Sequence, residues 1–296
     1  MAGSTIGVDF GGTGLKAAVV VDGRVETEAR RDTGAGRPAA AILDDIAELA
    51  RELDPQPDGL GLAIPGEVDE DGACWRLPNV PHFEQVRIAA ELEKRLGCRV
   101  AVENDATTAA WAELRHGHGR DVASFLLFTL GTGVGGGLVL DGRVRRGRHG
   151  FAGEVGHVFA GIDDDIVCAC DSTGCLEVGA GTSGLQRSHE RAGGASDTSP
   201  KAIAEAAEQG DAAGLSAFDA MGVALGRGIA SIQAVLDLDA LVFTGGIAAS
   251  MHLIEPSLRR TLEERAYAPP LAAIPFLRSE LGGRAGVIGA AELLRS

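Results

Sequence analysis

One stretch of this chain occurs twice. Residues 12–25 read Gly-Thr-Gly-Leu-Lys-Ala-Ala-Val-Val-Val-Asp-Gly-Arg-Val, and residues 131–144 read Gly-Thr-Gly-Val-Gly-Gly-Gly-Leu-Val-Leu-Asp-Gly-Arg-Val. They align without a gap, with eight of fourteen positions identical and a spacing of 119 residues. An apolar run precedes each copy, at 5–10 and at 124–130. Each copy therefore spells strand, glycine turn, strand, Asp-Gly hairpin and return strand. One repeat at this distance lacks the many short periods of a solenoid. It predicts an internal duplication, with two related β-hairpin lobes that would set two glycine turns across one cleft.

Between and after the copies the pattern alternates. Apolar positions Ile42, Ile46, Leu49 and Leu53 recur at helical spacing and predict a helix over 38–53. Strands are expected at 59–64, ended by Pro65-Gly66, and at 99–103, with helices at 84–96 and from Asp105 to about residue 116. In the second copy the glycines 131–137 read as a turn, with the strand at 138–140. An irregular stretch is expected from 150 to about 184. Helices follow at 201–209, 211–236 and 251–265, a buried strand at 240–244, a last strand at 272–277 and a helix at 285–295. Strands and helices in this order give the α/β class.

The chain has 296 residues and a formal net charge of −15. So acidic a surface repels phosphate backbones and anionic lipid, which argues against nucleic acid or membrane as a partner. No stretch reads as apolar for long enough to cross a bilayer. No basic region opens the N-terminus, so no signal peptide is expected. A cytoplasmic protein with reduced thiols is the expectation.

Against that expectation, three of the five cysteines crowd into Cys168-Ala-Cys170-Asp-Ser-Thr-Gly-Cys175. Cys74 and Cys98 stand alone and read as small buried hydrophobes. The crowded three sit among Asp, Ser, Thr and Gly, which suits a metal better than a core. His157 lies eleven residues before Cys168. His157, Cys168, Cys170 and Cys175 make a closed Cys₃His complement for a structural zinc, with no position open for water. Asp163, Asp164 and Asp165 are rival ligands for a hard cation or a solvated loop. Glu154 and Glu177 flank the cluster and are either ordinary glutamates or fixed acceptors for hydroxyl groups.

The glycine turns have two readings. Gly11, Gly12 and Thr13 can present backbone N–H groups to an anion, with Lys16 as a point charge and Asp9 as a carboxylate for a hydrated Mg²⁺. They can also be a plain hairpin turn. Gly131-Thr132-Gly133-Val134-Gly135-Gly136 satisfies G-x-G-x-x-G, but a strand follows where a dinucleotide fingerprint needs a helix. Glu103-Asn104-Asp105 lies at a strand-to-helix junction. A helix cap explains one of its polar residues; a carboxylate there can also take a proton from an alcohol.

Together these motifs resemble the ROK family, named for repressors, uncharacterised frames and sugar kinases, with its bacterial glucokinase branch as the nearest likeness. Asp9–Lys16 matches D-x-G-G-T-x-x-K, and Glu103-Asn104-Asp105 matches the catalytic segment. Residues 130–157 match the signature running from L-G-T-G-x-G-G-G to G-E-x-G-H, and 168–177 match C-x-C-G-x-x-G-C-x-E. The resemblance implies a duplicated actin-like, ribonuclease-H-like fold of two lobes around a cleft. The small lobe would be residues 1–108 plus helix 285–296. The large lobe would be 109–284, with a zinc-binding loop at 157–175. It implies transfer of the γ-phosphoryl of Mg-ATP to a hexose 6-hydroxyl, with glucose as the hexose. Asp105 would be the base. Gly66, Asn79, Asn104, Glu154, His157 and Glu177 would hold the sugar, His157 also serving zinc. Asp9, Gly11, Gly12, Thr13, Lys16, Thr132 and Gly133 would face the phosphates, and Gly245 and Gly246 the nucleotide. A homodimer or homotetramer is implied.

Two positions depart from the family pattern: Asp171 replaces a glycine after the second cysteine, and Thr107 replaces an asparagine after E-N-D-A. The first bears on the turn of the zinc knuckle and the second on sugar preference. An N-acetylhexosamine or fructose kinase, a polyphosphate-using kinase and a non-catalytic sugar sensor are the other readings. A DNA-binding regulator would need a helix-turn-helix ahead of Asp9, and none is expected in the eight residues before it.

Overall fold

The computed structural model describes residues 5–69, 72–78, 80–162 and 165–295. The chain runs β1 (Thr5–Phe10), β2 (Gly14–Val21), β3 (Arg24–Asp32), α1 (Ala39–Leu53), β4 (Gly59–Ile64), β5 (Glu67–Val68), β6 (Cys74–Arg76), α2 (Ile88–Leu96), β7 (Arg99–Asn104) and α3 (Asp105–His116). It continues through β8 (Phe125–Leu130), β9 (Val134–Leu140), β10 (Arg143–Arg145), α4 (Leu176–Ala180), α5 (Thr182–Arg191), α6 (Pro200–Glu208) and α7 (Ala212–Leu236). It ends with β11 (Ala240–Thr244), α8 (Met251–Arg265), α9 (Pro269–Ala272), β12 (Phe276–Arg278) and α10 (Ala285–Glu292).

The strands form two five-stranded sheets, ordered β3-β2-β1-β4-β7 and β10-β9-β8-β11-β12, and a small β5-β6 ribbon. In the first sheet β1 and β2 are antiparallel, while β1, β4 and β7 run parallel. In the second, β8, β11 and β12 run parallel and β9 and β10 antiparallel. The α/β class expected from the sequence is the class observed.

The described residues divide into two compact units. One draws on Met1–Ala123, Gly137–Gly153 and Ser279–Ser296, the other on Ser124–Gly136 and Glu154–Arg278. In the first unit α1 covers the sheet, burying Ile42, Leu43, Ile46 and Leu49 at 1% exposure or less. Each such side chain contributes about 1.5–3 kcal/mol of burial free energy. The opposite side carries α10, which packs against β1 and β4. Gly7 and Gly61 let it approach, because a Cβ at either would collide with the Val287 or Ala290 carbonyl.

Several boundaries differ from those the sequence predicts. The first helix after β6 starts at Ile88 and not at 84, because His82 and Gln85 hold positive φ (75° and 65°). β9 starts at Val134, so Gly135–Gly137 extend a strand where a turn is expected. The stretch before 184 is less irregular than expected, since α4 and α5 begin at 176 and 182. Pro269-Pro270 opens a helical turn, which moves the last strand to 276–278. Contrary to the hydropathy reading, one described helix, α7, is long and apolar enough to cross a membrane. Of its most apolar window, 61% is buried inside the protein, as a core helix packed on α8 and α5 requires.

Candidate functional site

In the first unit, candidate residues collect where the parallel strands of the first sheet end. Asp9 pairs in register with Lys16 across β1 and β2. Gly11, Gly12 and Thr13 connect them, with Gly11 N–H donating to the Gly14 carbonyl at 2.9 Å. Thr33 pins the turn from outside: its hydroxyl donates to the Gly11 carbonyl at 2.6 Å, and its N–H to the Thr13 carbonyl at 3.1 Å. Lys16 Nζ donates to the Gly283 carbonyl at 2.9 Å and lies 3.6 Å from the Glu28 carboxylate. Burial pushes the Asp9 carboxyl above its ordinary range, against an opposing pull from Lys16.

Gly66 follows β4, and its carbonyl accepts from Asn104 Nδ2 at 3.1 Å. β7 ends on Asn104, and α3 starts at Asp105. Asn104 Oδ1 caps the helix, accepting from the Ala106 and Thr107 N–H groups at 2.9 and 3.1 Å. Asp105 Oδ1 also accepts from Ala106 N–H, at 2.7 Å. Capping thus fixes both side chains at the helix mouth. Thr107 is buried. Asn79 lies outside the described residues, as do Asp163 and Asp164.

Behind this junction sits a pair that the sequence did not disclose. Glu103 is 3% exposed, and its Oε2 lies 2.5 Å from Arg146 Nε. Its Oε1 accepts from the Asn104 N–H at 2.8 Å. Burial raises the Glu103 carboxyl above the ordinary range, while Arg146 and the Asn104 N–H pull it back. The 43-residue separation of the partners left no local signal; only the unusual burial of an acid marks them.

In the second unit, the second glycine turn meets the end of β11. Gly131 N–H donates to the Gly133 carbonyl at 3.1 Å, and the Thr182 hydroxyl donates to the Gly131 carbonyl at 2.9 Å. Thr182 N–H reaches the Thr132 carbonyl at 3.2 Å. Gly245 has φ 96° and backs onto Leu130, so it and Gly246 lie beside the turn holding Thr132 and Gly133. Glu177 Oε2 accepts from Val134 N–H at 3.1 Å. Thr182 is a second residue that sequence reasoning missed.

Glu177 also ties the turn to the cysteines, its Oε1 lying 4.0 Å from Cys168 Sγ. One ligand atom from each of His157, Cys168, Cys170 and Cys175 lies within 4.8 Å of the others. Cys168 Sγ is 3.5 Å from His157 Nδ1, and Cys170 and Cys175 sulfurs are 3.5 Å apart. Tetrahedral zinc with bonds near 2.3 Å spaces sulfurs by about 3.7 Å, so the donor set and spacing fit that ion. Burial pushes the Cys175 thiol up to about 12. At Cys170 burial also acts upward, but hydrogen bonds from Ser172 N–H and the neighbouring thiols outweigh it and bring the thiol to about 7. The other imidazole nitrogen, Nε2, lies 4.0 Å from Glu154. Asp171 stands at φ 64°, the left-handed conformation that explains the glycine expected there.

Two sheets of one strand order, with glycine turns at strand ends, define an α/β protein of the actin- and hexokinase-like class. Within that class the chain belongs to the ROK family, whose profile matches residues 5–296. It is 30% identical to a glucokinase of Thermotoga maritima, over 98% of this chain and 96% of that one. It is also 30% identical to an N-acetylmannosamine kinase of Escherichia coli, over 98% of each. A Streptomyces griseus ROK glucokinase, solved with glucose and AMPPNP, superposes with a TM-score of 0.84 at 33% identity. That match covers 98% of this chain and 99% of the other.

Proposed function

We propose that the chain is an ATP-dependent hexose kinase, with glucose as the acceptor, that moves the γ-phosphoryl group of Mg-ATP to the 6-hydroxyl. The observation that carries this reading is Asp105, fixed as the first residue of α3 by the Asn104 cap. Its carboxylate takes the hydroxyl proton as the sugar oxygen attacks the γ-phosphorus and ADP departs. A loose phosphoryl-transfer transition state asks little of a base beyond placement. Gly66, Asn79, Asn104, Glu154, His157 and Glu177 bind the sugar. Gly11, Gly12, Thr13, Lys16, Thr132 and Gly133 bind the phosphates, and Gly245 and Gly246 the nucleotide. Asp9 would hold a hydrated Mg²⁺, which neutralises phosphate charge. His157 Nδ1 and the three thiolates would hold zinc, leaving Nε2 for the sugar. The repeated hairpin supports a duplicated ancestry for the two sheets.

Relatives of equal identity carry the names glucokinase and N-acetylmannosamine kinase, so an N-acetylhexosamine is the second acceptor reading. ADP release with glucose, mannose, fructose, N-acetylglucosamine and N-acetylmannosamine decides between them. The reading predicts the highest kcat/KM for glucose, and no turnover on any sugar would defeat it. Elemental analysis of active protein should find one zinc per chain.

A further inference from the structure

Asn104 ties together the sugar side of the proposed site. Its side chain donates to the Gly66 carbonyl at 3.1 Å and caps the start of α3. Its backbone N–H is held in turn by Glu103 Oε1 at 2.8 Å. Glu103 sits on β7 at 3% exposure, where an acid is rare without a partner. That partner is Arg146, whose Nε lies 2.5 Å from Oε2. One carboxylate thus gives one oxygen to the Asn104 backbone and the other to a guanidinium. The kinase reading uses Asn104 and Asp105 and gives neither Glu103 nor Arg146 a part.

The guanidinium is delivered from a fixed backbone. The Arg146 carbonyl accepts from the Ala152 N–H at 3.0 Å, which closes the loop 146–152 on itself. Gly150, at φ 86°, approaches the Val68 carbonyl so closely that a Cβ would stand 2.7 Å from it. The Phe151 and Trp75 rings meet with centroids 5.5 Å apart. The loop is therefore seated on the β5–β6 ribbon, the segment that follows Gly66. All of these residues belong to the first unit. Burial disfavours the charged form of Glu103, and Arg146 is the strongest influence opposing it. The charged form is the one that accepts fully at both oxygens, since a protonated carboxyl carries a hydrogen on one of them.

We propose that Arg146 and Glu103 are a positioning pair for the acceptor side of the site, holding Asn104, and with it the Gly66 carbonyl and the start of α3, in the arrangement that receives a sugar hydroxyl. This rests on the kinase reading above. Neither residue touches the sugar, and the effect passes through the Asn104 backbone. The glycine turn at Gly11–Gly14 and Lys16 are held by other contacts, those of Thr33 and the Gly283 carbonyl. The pair should therefore act on the sugar and not on ATP.

Steady-state kinetics on the full chain tests this, with whichever of glucose and N-acetylmannosamine the wild type phosphorylates. Glu103→Gln removes the charge without leaving a buried ion, because the Arg146 side chain is 36% exposed. It should raise KM for the sugar about tenfold, as loss of a charge-assisted bond implies, with kcat within about threefold and KM for ATP unchanged. Arg146→Ala should do the same, and Arg146→Lys, which keeps the charge, should recover most of the loss. The double variant Glu103→Gln/Arg146→Ala should be no worse than either single one, because the two residues act as a unit. A role in stability alone would lower the active fraction, and hence kcat, and leave both KM values in place. The proposal is overturned by an unmoved sugar KM in Glu103→Gln, by multiplied effects in the double variant, by no recovery in Arg146→Lys, or by an equal rise in KM for ATP. A wild-type chain that turns over no sugar would defeat the kinase reading and the pair's role with it, whereas an active wild type with unmoved variants would defeat the pair alone.

Discussion

Asp22-Gly23 and Asp141-Gly142 turn the two hairpins in the same way. Both residues of each turn hold positive φ, 48° and 74° in the first and 54° and 68° in the second. This is the turn that matches the right-handed twist of paired strands, and it restricts residue choice severely. Between the glycine turn and the Asp-Gly turn, however, the copies diverge. Lys16, Ala17 and Ala18 in β2 correspond to Gly135, Gly136 and Gly137 in β9. The difference follows from what lies on each strand. Ala18 packs in a small cluster with Val287 and Ala291 of α10, which leave room for a methyl group. At Gly137 a Cβ would lie 2.5 Å from the Ala110 side chain and 2.6 Å from the Ala106 carbonyl, because α3 rests directly on the strand. Identity between the copies marks backbone demands, and divergence marks the neighbour each strand has acquired.

The largest expected effect tests what α3 gains by resting there. Asp105→Asn keeps the shape of the helix mouth and removes the proposed base, so kcat should fall about 10³-fold. Glucose affinity, read by calorimetry, should change by no more than a few fold. Wild-type kcat would show that α3 carries no base at its start, and the contrast between the strands would then be packing alone.

The charged residues of the first hairpin come next. Lys16 has glycine as its counterpart, so Lys16→Ala should raise KM for ATP about tenfold, as loss of one charge-assisted contact implies. Asp9 adds a pH signature. Its carboxyl sits above the ordinary 3.8, so the folded state binds that proton more tightly than the unfolded chain. Stability from this group is therefore present below 3.8 and declines as pH rises through the folded value. Asp9→Asn should accordingly abolish turnover yet raise the urea midpoint at neutral pH. The acid limb of kcat/KM for Mg-ATP should lie above 3.8 and move upward in Lys16→Ala, because Lys16 holds the carboxyl down. An unmoved limb would remove Asp9 from the ionisation that matters.

Packing effects are smaller. Gly137→Ala should cost about 2 kcal/mol by overpacking and lower kcat with it, since α3 must shift. Ala18→Gly on the first hairpin should cost about 1 kcal/mol and leave kcat unchanged. Equal costs, with equal loss of activity, would mean that the two strands support the fold in the same way.

The comparison also accounts for what could be read from the residues. The strand–turn–strand order was legible because Asp-Gly and apolar alternation are local signals. The cysteine cluster was legible because its ligands lie within nineteen positions of sequence, from His157 to Cys175. Gly135–Gly137 read as a turn because glycine signals backbone freedom, while its use here is close approach of α3, a tertiary fact. Arg146 beneath Glu103 and Thr182 against the second turn were invisible for the same reason. Each pair joins distant segments, and neither residue type announces its partner. The start of α2 was misplaced because His82 and Gln85 occupy left-handed conformations that their residue types do not advertise.

A third aspartate at positive φ gives the finest test of that local rule. Asp171 adopts φ 64°, close to Asp141 at 54°, but Ser172 follows it where glycine follows Asp141. Its N–H donates to the Cys168 carbonyl at 2.9 Å, and Cys168 N–H donates to the Ser172 carbonyl at 2.8 Å, so the knuckle keeps its turn without glycine. Asp171→Gly removes the left-handed penalty on a Cβ but gives the unfolded chain more freedom. The two nearly cancel, and a net stabilisation under about 1 kcal/mol is expected, with zinc content unchanged. Asp171→Ala removes the side chain best suited to this conformation without relieving the Cβ, so it should be destabilising by a similar amount. If glycine instead loosened the metal, the Asp171 carboxylate would have to act in the knuckle itself, and its likeness to the hairpin aspartates would end at the backbone.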